Sequence, residues 1–206
     1  MKHIAIIDSG AGNLHSVYKA FKYIGANVVV TNDSKTVEAS DAVIFPGVGA
    51  FGAVVNHVRK SNLEDLVIKQ AKSSKPFLGI CVAMQVLFED SEENPEIKGL
   101  GILKGKVIKF KKAKKVPHIG WNDVTSCVIA RSEATKQSQN EGNKFYFVHS
   151  YYVVPEDKSV IVAKTKYDGE DFASIIKRDN LMAVQFHPEK SGNSGLELLK
   201  NFFRSI

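Results

Sequence analysis

The 206-residue chain contains only two cysteines and lacks any long apolar segment. Two cysteines cannot form the disulfide framework of a small secreted protein, so we expect a reducing, cytoplasmic environment. No stretch approaches the roughly 18 consecutive apolar residues of a membrane helix. The first residues, 3–8, are typical of a strand and lack the apolar region and cleavage site of a signal peptide. We therefore expect a cytoplasmic protein without a membrane partner.

The chain also lacks the clusters of cysteine and histidine that bind metal ions. Its six histidines are scattered, and no spacing between cysteines and histidines resembles a ligand set. We expect neither a metal nor another cofactor.

Arginine is missing from the most basic part of the chain. The net charge is +6, and seven lysines lie between residues 104 and 115 with only one aromatic residue, Phe110, among them. Nucleic-acid binding proteins usually interleave arginine and aromatic residues for base contacts and stacking. The run therefore predicts a solvated, partly strand-like surface, and attraction of an anionic substrate or acidic partner is the second interpretation. Nucleic acid is not an expected partner.

What the chain does contain is an alternation of short apolar runs and amphipathic segments through its first half. Apolar strands that alternate with helices are typical of a parallel sheet covered on both faces. The second half contains strand-like segments joined by turns, and a closing helix. We predict a single α/β domain over residues 1–206, doubly wound, with a mostly parallel sheet, helices on both faces and antiparallel strands in the C-terminal half.

The same patterns place the expected elements along the chain. In the first half they are strands at 3–8, 27–31 and 42–45, a helix at 14–24, a long helix at 51–72, and a strand and a helix on either side of Cys81. In the second half they are strands at 101–110, 145–154, 160–166, 172–178 and 181–186, and a last helix at 195–203. Residues 125–144 are polar and without clear period, which predicts a loop, and Cys127 within it is expected to be a spectator thiol.

Cys81 lies at the junction between the predicted strand and the predicted helix. A buried, inert thiol is one interpretation, because free cysteine is often buried. A nucleophile on a tight strand-to-helix turn is the other, and it needs small residues two positions to either side, where this chain has Gly79 and Ala83. The N-terminus of the following helix favours a thiolate, and the N–H of Val82 is available to an oxyanion.

A base for this nucleophile is offered by the segment "QFHPE". His187 and Glu189 lie two residues apart, so on an extended chain they face the same side, and the carboxylate can orient the imidazole. Taken alone, a His-Pro-Glu sequence is more often a surface turn. Together with Cys81 it supplies a nucleophile, a base and an orienting acid.

The segment "PGVGAFG" at residues 46–52 is the third candidate. Its glycines allow backbone angles closed to other residues and expose backbone N–H groups. An isolated match of this kind is a flexible turn before a helix. Beside a nucleophile it becomes a second source of oxyanion donors.

Five motifs occur in the order and spacing of the class I glutamine amidotransferases: "PGVGAFG", "GICVAMQ", "PHIGWN", "FVHSYY" and "QFHPEKSG". The chain resembles that family over nearly its whole length, the loop near 125–144 excepted. The segments "GNLHS", "GWN" and "FVHSYY" narrow the resemblance to the glutaminase subunits of imidazole glycerol phosphate synthase, an enzyme of histidine biosynthesis. The resemblance implies a flavodoxin-like fold and a glutaminase.

The resemblance also implies a role for each member of the triad. Cys81 would attack the carboxamide of glutamine, release ammonia and form a glutamyl thioester. His187, held by Glu189, would protonate the leaving ammonia and then activate the hydrolytic water. The oxyanion positions of the family are Val82, Val48 (after a rearrangement of the Gly47–Val48 peptide) and Gly49. The glutamine-binding positions are Gly49, Gln85, Glu93, Ser150 and Tyr151.

A partner is implied as well. Ammonia would pass through a tunnel into a (βα)₈-barrel cyclase, the other subunit of a heterodimer, which makes imidazole glycerol phosphate and aminoimidazole carboxamide ribotide. The family contacts that barrel at the positions of Asn13, Trp121, Tyr146 and Lys190. Trp121 is the only tryptophan, and we expect it in a turn-like Gly120-Trp121-Asn122 setting where an exposed indole suits an interface.

Two points stay open at the level of sequence. The family usually has Leu-Gly after the nucleophile where this chain has Val82-Ala83, and the added methyl puts the tightness of the turn in doubt. A paralogous glutaminase that feeds a sugar amidotransferase of surface polysaccharide synthesis would share every catalytic motif. A non-catalytic binding protein on the same fold is a further alternative, although an intact triad argues against it.

Overall fold

The computed structural model describes residues 2–10, 13–126 and 144–206, and its first half is built from alternating strands and helices. Cys127, which we expect to be a spectator thiol, and most of the predicted 125–144 loop lie outside the described residues. In chain order the elements of this half are β1 (His3–Ile7), α1 (Leu14–Tyr23), β2 (Asn27–Thr31), α2 (Ser34–Ala39), β3 (Ala42–Gly47), α3 (Phe51–Lys60), α4 (Glu64–Lys72), β4 (Phe77–Cys81) and α5 (Val82–Val86).

The second half consists mainly of strands. Its elements are β5 (Asp90–Ser91), β6 (Gly105–Lys109), β7 (His118–Asp123), β8 (Thr125–Ser126), β9 (Lys144–His149), β10 (Tyr151–Pro155), β11 (Ile161–Tyr167), β12 (Glu170–Arg178), β13 (Leu181–Val184) and α6 (Gly192–Arg204). Short 3₁₀ turns cover Lys158–Val160 and Pro188–Lys190.

The main sheet has eight strands in the order β2-β1-β3-β4-β13-β12-β11-β8. The first five are parallel to one another, and β12, β11 and β8 continue the sheet in antiparallel fashion. β6 with β5 and β10, and β7 with β9, form two smaller sheets. The predicted α/β fold, parallel first and antiparallel toward the C-terminus, is confirmed.

The central strands are apolar along their whole length because both faces of the sheet are covered. Every residue of β3 and β4 is buried, and β1 is buried from its second residue onward. The helices turn one apolar stripe inward; in α1 that stripe is Val17, Ala20 and Phe21. None of the helices in the described residues is long and apolar enough to cross a membrane.

Four local expectations are wrong. The strand expected at 145–154 is two strands of different sheets, β9 and β10, separated at Ser150. The helix expected at 51–72 is two helices, because Asn62 takes a left-handed conformation (φ 54°) and ends the first. The helix after Cys81 lasts only five residues, although the apolar run continues to Phe88. The Gly120-Trp121-Asn122 segment is no turn but the middle of β7, where Trp121 pairs with Tyr146 of β9.

The lysine run forms the predicted solvated surface. Its seven lysines are all exposed, and the first part of the run forms β6. The second part, residues 111–115, is irregular and wraps a buried carboxylate. The backbone N–H groups of Lys111, Lys112 and Ala113 donate to Oε1 of Glu170 at 2.8, 2.6 and 3.1 Å, and Tyr152 donates to Oε2 at 3.2 Å.

Glu170 therefore holds the chain segment that leads into β7. Burial raises the pKa of its carboxyl, but the three backbone N–H donors and the Tyr152 hydroxyl outweigh burial, and the net pKa lies below its usual value of 4.5. A carboxylate with a lowered pKa stabilises the fold at neutral pH and loses this contribution as the pH falls through that pKa.

We expect Glu170→Ala to lower the free energy of unfolding by about 2 kcal/mol at neutral pH, because three backbone donors lose a charged acceptor. At acidic pH the free energies of unfolding of the variant and of the unsubstituted protein should differ less. Urea unfolding at neutral and acidic pH measures both effects. Glu96→Ala, at an exposed position, is the matched control, and equal losses in the two variants would contradict the role given to Glu170.

Candidate active site

Three segments meet at the carboxyl edge of the parallel sheet. Cys81 ends β4, and the register of the strands pairs it with Gly47 at the end of β3. On the other side, Val184 of β13 pairs with Ile80, so the chain that follows β13 runs past Cys81. Ligands in open α/β sheets bind at this edge, and the sequence "PGVG", the cysteine and the His-Pro-Glu segment all reach it.

Cys81 has the strained backbone of a sharp turn. Its φ is 59° and its ψ is −116°, in a region that non-glycine residues rarely occupy. A Cβ on Gly47 would lie 2.8 Å from the backbone nitrogen of Ala83, so a side chain there would displace the turn. The expected turn is therefore present, and the strands on both sides hold it.

The methyl of Ala83, which the family pattern put in doubt, fits this turn. Ala83 is fully buried, and its Cβ lies 3.4 Å from where a Cβ of Gly47 would be, which is ordinary van der Waals contact. A Cβ on Gly79 would lie 3.1 Å from that of Ala183. Glycine at 47 thus leaves space for Ala83, and glycine at 79 leaves space for Ala183.

His187 and Glu189 form the expected pair. Nδ1–H of His187 donates to Oε1 of Glu189 at 2.8 Å, and the two side chains are 3% and 1% exposed. Nε2 of His187 is buried and makes no hydrogen bond among the described residues. Burial lowers the pKa of His187, but the Cys81 sulfur and the Glu189 carboxylate outweigh burial and raise that pKa to about 10. The pair therefore favours an imidazolium next to the sulfur.

A cavity of about 470 Å³ opens in front of the sulfur. Most residues expected at the site line it: Asn13, Val48, Gly49, Cys81, Val82, Gln85, Glu93, Ser150, Tyr151, His187 and Lys190. Three further residues that the sequence did not single out complete the lining: Pro117, Val148 and His149. A cavity of this size accommodates an amino acid.

Three of the expected site residues lie elsewhere. Glu189 lies behind His187 and does not line the cavity. Trp121 and Tyr146 form a cross-strand pair on β7 and β9 with ring centroids 6.2 Å apart, and Trp121 is 56% exposed. Tyr146 is only partly exposed, so Trp121 is the exposed member of this pair, on the outer surface next to the cavity.

Glu93 has a contact that the sequence did not suggest. Its Oε2 accepts from the backbone N–H of Phe51 at 2.8 Å, and Oδ1 of Asn94 accepts from that of Gly52 at 2.9 Å. The two side chains satisfy the first free N–H groups of α3, whose cap residue Ala50 has no side-chain donor or acceptor. Glu93 thus connects the cavity to the helix that follows "PGVG".

Two glutamines lie in contact beside the nucleophile. Nε2 of Gln85 donates to the carbonyl oxygen of Tyr151 and to Oε1 of Gln185, both at 3.0 Å. Nε2 of Gln185 lies 3.9 Å from Sγ of Cys81. Gln85 was expected at the site and Gln185 was not, although a polar residue that directly follows the apolar β13 and precedes His-Pro-Glu was a usable signal.

A second buried pair is formed by His149, which lines the cavity, and His118, which lies behind it. Nδ1 of His118 lies 3.0 Å from Nε2 of His149, and Nδ1 of His149 lies 2.8 Å from the carbonyl oxygen of Tyr151. A carbonyl only accepts, so His149 carries its proton on Nδ1, its Nε2 accepts, and His118 also carries its proton on Nδ1. The His118 ring stacks between Phe147 and Tyr167, with centroids 4.8 and 3.9 Å away.

Burial keeps both imidazoles neutral. It lowers the pKa of His118 to about 4. Burial also lowers the pKa of His149 to about 3. The hydrogen bond to the Tyr151 carbonyl raises this pKa, and electrostatic repulsion from His118 and His187 lowers it further. The sequence alone assigned no role to either histidine, because only the pairing of β7 with β9 brings them together.

Comparison with known proteins decides the family. The family model "Glutamine amidotransferase class-I" matches residues 5–206. The chain belongs to the class I glutamine amidotransferases. This confirms the resemblance found in the sequence and the expected type of enzyme. In the described part of this amidotransferase, no group of three or more His, Cys, Asp or Glu side chains is arranged to hold a metal ion.

Curated relatives of this amidotransferase match along nearly all of both chains. "Imidazole glycerol phosphate synthase subunit HisH" of Aquifex aeolicus is 48% identical over 97% of this chain and 95% of its own length. The protein of the same name from Pyrococcus furiosus is 46% identical over 99% and 100%. That from Methanocaldococcus jannaschii is 48% identical over 97% of each.

Solved structures of more distant proteins share the fold. A chain of "PurLQS from Thermotoga maritima" superimposes with a TM-score of 0.73 at 17% identity, over 99% of this chain and 98% of that one. A "glutamine amidotransferase" gives 0.71 at 18% identity, over 98% and 99%. At these identities the likeness concerns the fold alone.

We expect His118 and His149 to stay neutral between about pH 5 and pH 8, both with the proton on Nδ1, because burial lowers their pKa values. Nitrogen-15 spectra of the imidazoles measure protonation and tautomer directly. In urea-unfolded protein the same rings should titrate near 6.5. Since the folded state binds fewer protons, the pair should lower stability as the pH falls below 6.5. A proton on Nε2 of either ring would contradict the assignment.

Proposed function

We propose that this chain is the glutaminase subunit of an imidazole glycerol phosphate synthase and hydrolyses glutamine to glutamate and ammonia with Cys81, His187 and Glu189. The observation that carries the proposal is the buried His187–Glu189 pair, 2.8 Å long, at the same sheet edge as the strained Cys81 turn. The near full-length relatives named above support it.

The chemistry follows from the protonation of the pair. Sγ of Cys81, its proton held by His187, attacks the side-chain carbonyl carbon of glutamine. His187 then donates that proton to the departing nitrogen, the C–N bond breaks, and ammonia leaves a glutamyl thioester. A water gives a proton to the now neutral His187 and attacks the thioester, which releases glutamate and restores the thiolate and imidazolium.

Backbone N–H groups would stabilise the negative charge that develops on the carbonyl oxygen. Val82 follows the nucleophile directly, and Val48 and Gly49 line the same cavity. The Gly47–Val48 peptide is the part proposed to rearrange before Val48 donates. Gly49, with φ of 101°, gives this segment a conformation that side chains disfavour.

Glutamine itself would be held by the polar residues around the cavity. These are Gly49, Gln85, Glu93, Ser150 and Tyr151, all of which line it. Glu93 keeps Oε1 for the α-amino group of the substrate while Oε2 accepts from Phe51. A carboxylate opposite an ammonium group is the expected recognition of a free amino acid.

The proposed partner is a (βα)₈-barrel cyclase that receives the ammonia in a heterodimer. The surface beside the cavity mouth suits a protein interface, because Ile119, Trp121, Val148 and Val48 are large apolar residues and 37% to 56% exposed. Asn13, Tyr146 and Lys190 are the other proposed contact residues. Trp121 is the proposed anchor.

The name of the relatives favours the histidine pathway over a paralogous glutaminase for sugar amidation. The paralogue would act through the same triad, so the two differ only in partner and acceptor. The alternative of a non-catalytic binding protein conflicts with the presence of all three triad residues and with the His187–Glu189 hydrogen bond. A cytoplasmic location stays a prediction.

We expect glutamate release from glutamine to rise strongly when the cognate cyclase, with its ribonucleotide ligand, is added to the purified subunit. Cys81→Ala should lower the rate of glutamate release at least about 10⁴-fold, since it deletes the nucleophile. Cys127→Ala, at the only other cysteine, is the matched control and should retain it.

The outcomes separate the alternatives. Activity that depends on Cys81 but does not respond to the cyclase would indicate the paralogous pathway. Activity that survives Cys81→Ala would overturn the proposed mechanism. Absence of any activity, with and without the cyclase, would favour a binding protein.

Trp121→Ala should weaken the complex with the cyclase by roughly 30-fold or more, because it removes a large exposed aromatic from the proposed centre of the interface. Isothermal titration calorimetry of subunit against cyclase measures the dissociation constant. Tyr23→Ala is the matched control, since Tyr23 is a 77% exposed aromatic at the far end of α1 from Asn13. Equal affinities of both variants would exclude Trp121 as an anchor.

A further inference from the structure

Gln185 lies next to the nucleophile and has no part in the mechanism described so far. Its side chain is fully buried, and its Nε2 lies 3.9 Å from Sγ of Cys81. This distance is at the long end for a hydrogen bond from nitrogen to sulfur. Catalytic hydrogen bonds are often long in unliganded enzymes and shorten when the charged species forms.

The orientation of the Gln185 amide follows from its neighbours. Asparagine and glutamine side chains can be turned by 180°, so their nitrogen and oxygen must be assigned from the hydrogen-bond network. The fixed point here is the carbonyl oxygen of Tyr151, which can only accept. Gln85 must therefore direct Nε2 toward it, and the second hydrogen of that same Nε2 points to Gln185.

Because Gln85 offers a donor, Gln185 must offer an acceptor, which is Oε1. The opposite end of the Gln185 amide, Nε2, is then left facing Cys81. Turning Gln185 over would bring two NH₂ groups together and direct an oxygen at the sulfur. The proton that His149 donates to the same Tyr151 carbonyl fills its second lone pair and holds the fixed point in place.

We infer that Gln185 is a positioning residue whose amide N–H holds Sγ of Cys81 and stabilises its thiolate, with the amide direction set by Gln85 and the Tyr151 carbonyl. The inference rests on the proposed role of Cys81 as nucleophile. The amide donor of Gln185 and the imidazole of His187 come from the same chain segment, which follows β13. A charge-assisted hydrogen bond from the amide restricts rotation of the Cys81 side chain and favours the thiolate over the thiol.

Two substitutions separate the donor from the rest of the side chain. Gln185→Glu keeps an oxygen for Gln85 but directs an oxygen, with negative charge, at the sulfur. Gln185→Met keeps the length and apolar stem of the residue but loses both polar ends. Gln70→Met is the matched control, because Gln70 is also a buried glutamine, 3% exposed, on α4.

The measurement is the rate of Cys81 alkylation by iodoacetamide as a function of pH, in the absence of glutamine. Mass spectrometry of the Cys81 peptide keeps it apart from Cys127. The other titratable groups around the cavity are Glu93, His149, Tyr151, His187 and Lys190, with Glu189 behind His187. They are the same in all variants, so a difference between variants reports position 185.

We expect the pH midpoint of alkylation to move upward by about one unit in Gln185→Met, since one charge-assisted donor is lost. In Gln185→Glu it should move further, because a carboxylate opposes the thiolate. Gln70→Met should keep the midpoint of the unsubstituted protein. Turnover, if the subunit is a glutaminase, should fall in the same order, in kcat more than in KM.

Midpoints in both Gln185 variants equal to that of Gln70→Met would overturn the inference. A second measurement needs no substitution in the network: in nitrogen-15 spectra, the side-chain NH₂ signal of Gln185 should shift when Cys81 is alkylated. An unmoved signal would also overturn it. Neither readout uses glutamine. If the glutaminase assay failed but the alkylation midpoints shifted as expected, the proposed function would be rejected and the inference about Gln185 would stand.

Discussion

The position of the Cys81 sulfur depends on the parallel pairing of β4 with its two neighbours. Gly47 of β3 contacts the turn from one side, at a distance that admits no side chain. From the other side, β13 delivers Gln185 and His187 past the same point. The left-handed backbone of Cys81 costs on the order of 1–3 kcal/mol. The buried strands on both sides over-determine this conformation, so the strain persists at the residue that we propose as the nucleophile.

The local part of the site could be predicted from the sequence. His187 and Glu189 are two residues apart, and their contact needs only an extended chain between them. The Cys81 turn is indicated by the small residues Gly79 and Ala83 and by the change from a strand pattern to a helix pattern. In contrast, the contacts of Gln85 with Gln185 join positions 100 residues apart. No periodicity carries that information, because it depends on which strand lies next to β4.

The remaining errors of the sequence reading also have physical causes. An uninterrupted helical pattern at 51–72 hides the single left-handed residue, Asn62, that divides it. In β7, glycine and asparagine flank Trp121 and resemble a turn, whereas cross-strand partners on β9 decide the conformation. Successive side chains of β7 point to opposite faces and so enter two different environments. His118 faces a buried aromatic cluster, and Ile119 faces outward.

The contact between Glu93 and the start of α3 has a consequence for the motion of "PGVG". Gly47 is fixed by its pairing with Cys81, and the N–H of Phe51 is fixed by Glu93. Between these two pivots only residues 48–50 are free to change their dihedral angles. A rotation of the Gly47–Val48 peptide can therefore be absorbed by residues 48–50, without displacement of β3 or α3. Glu93, which fixes the Phe51 pivot, also lines the cavity, so a ligand bound to Glu93 would act on the same segment.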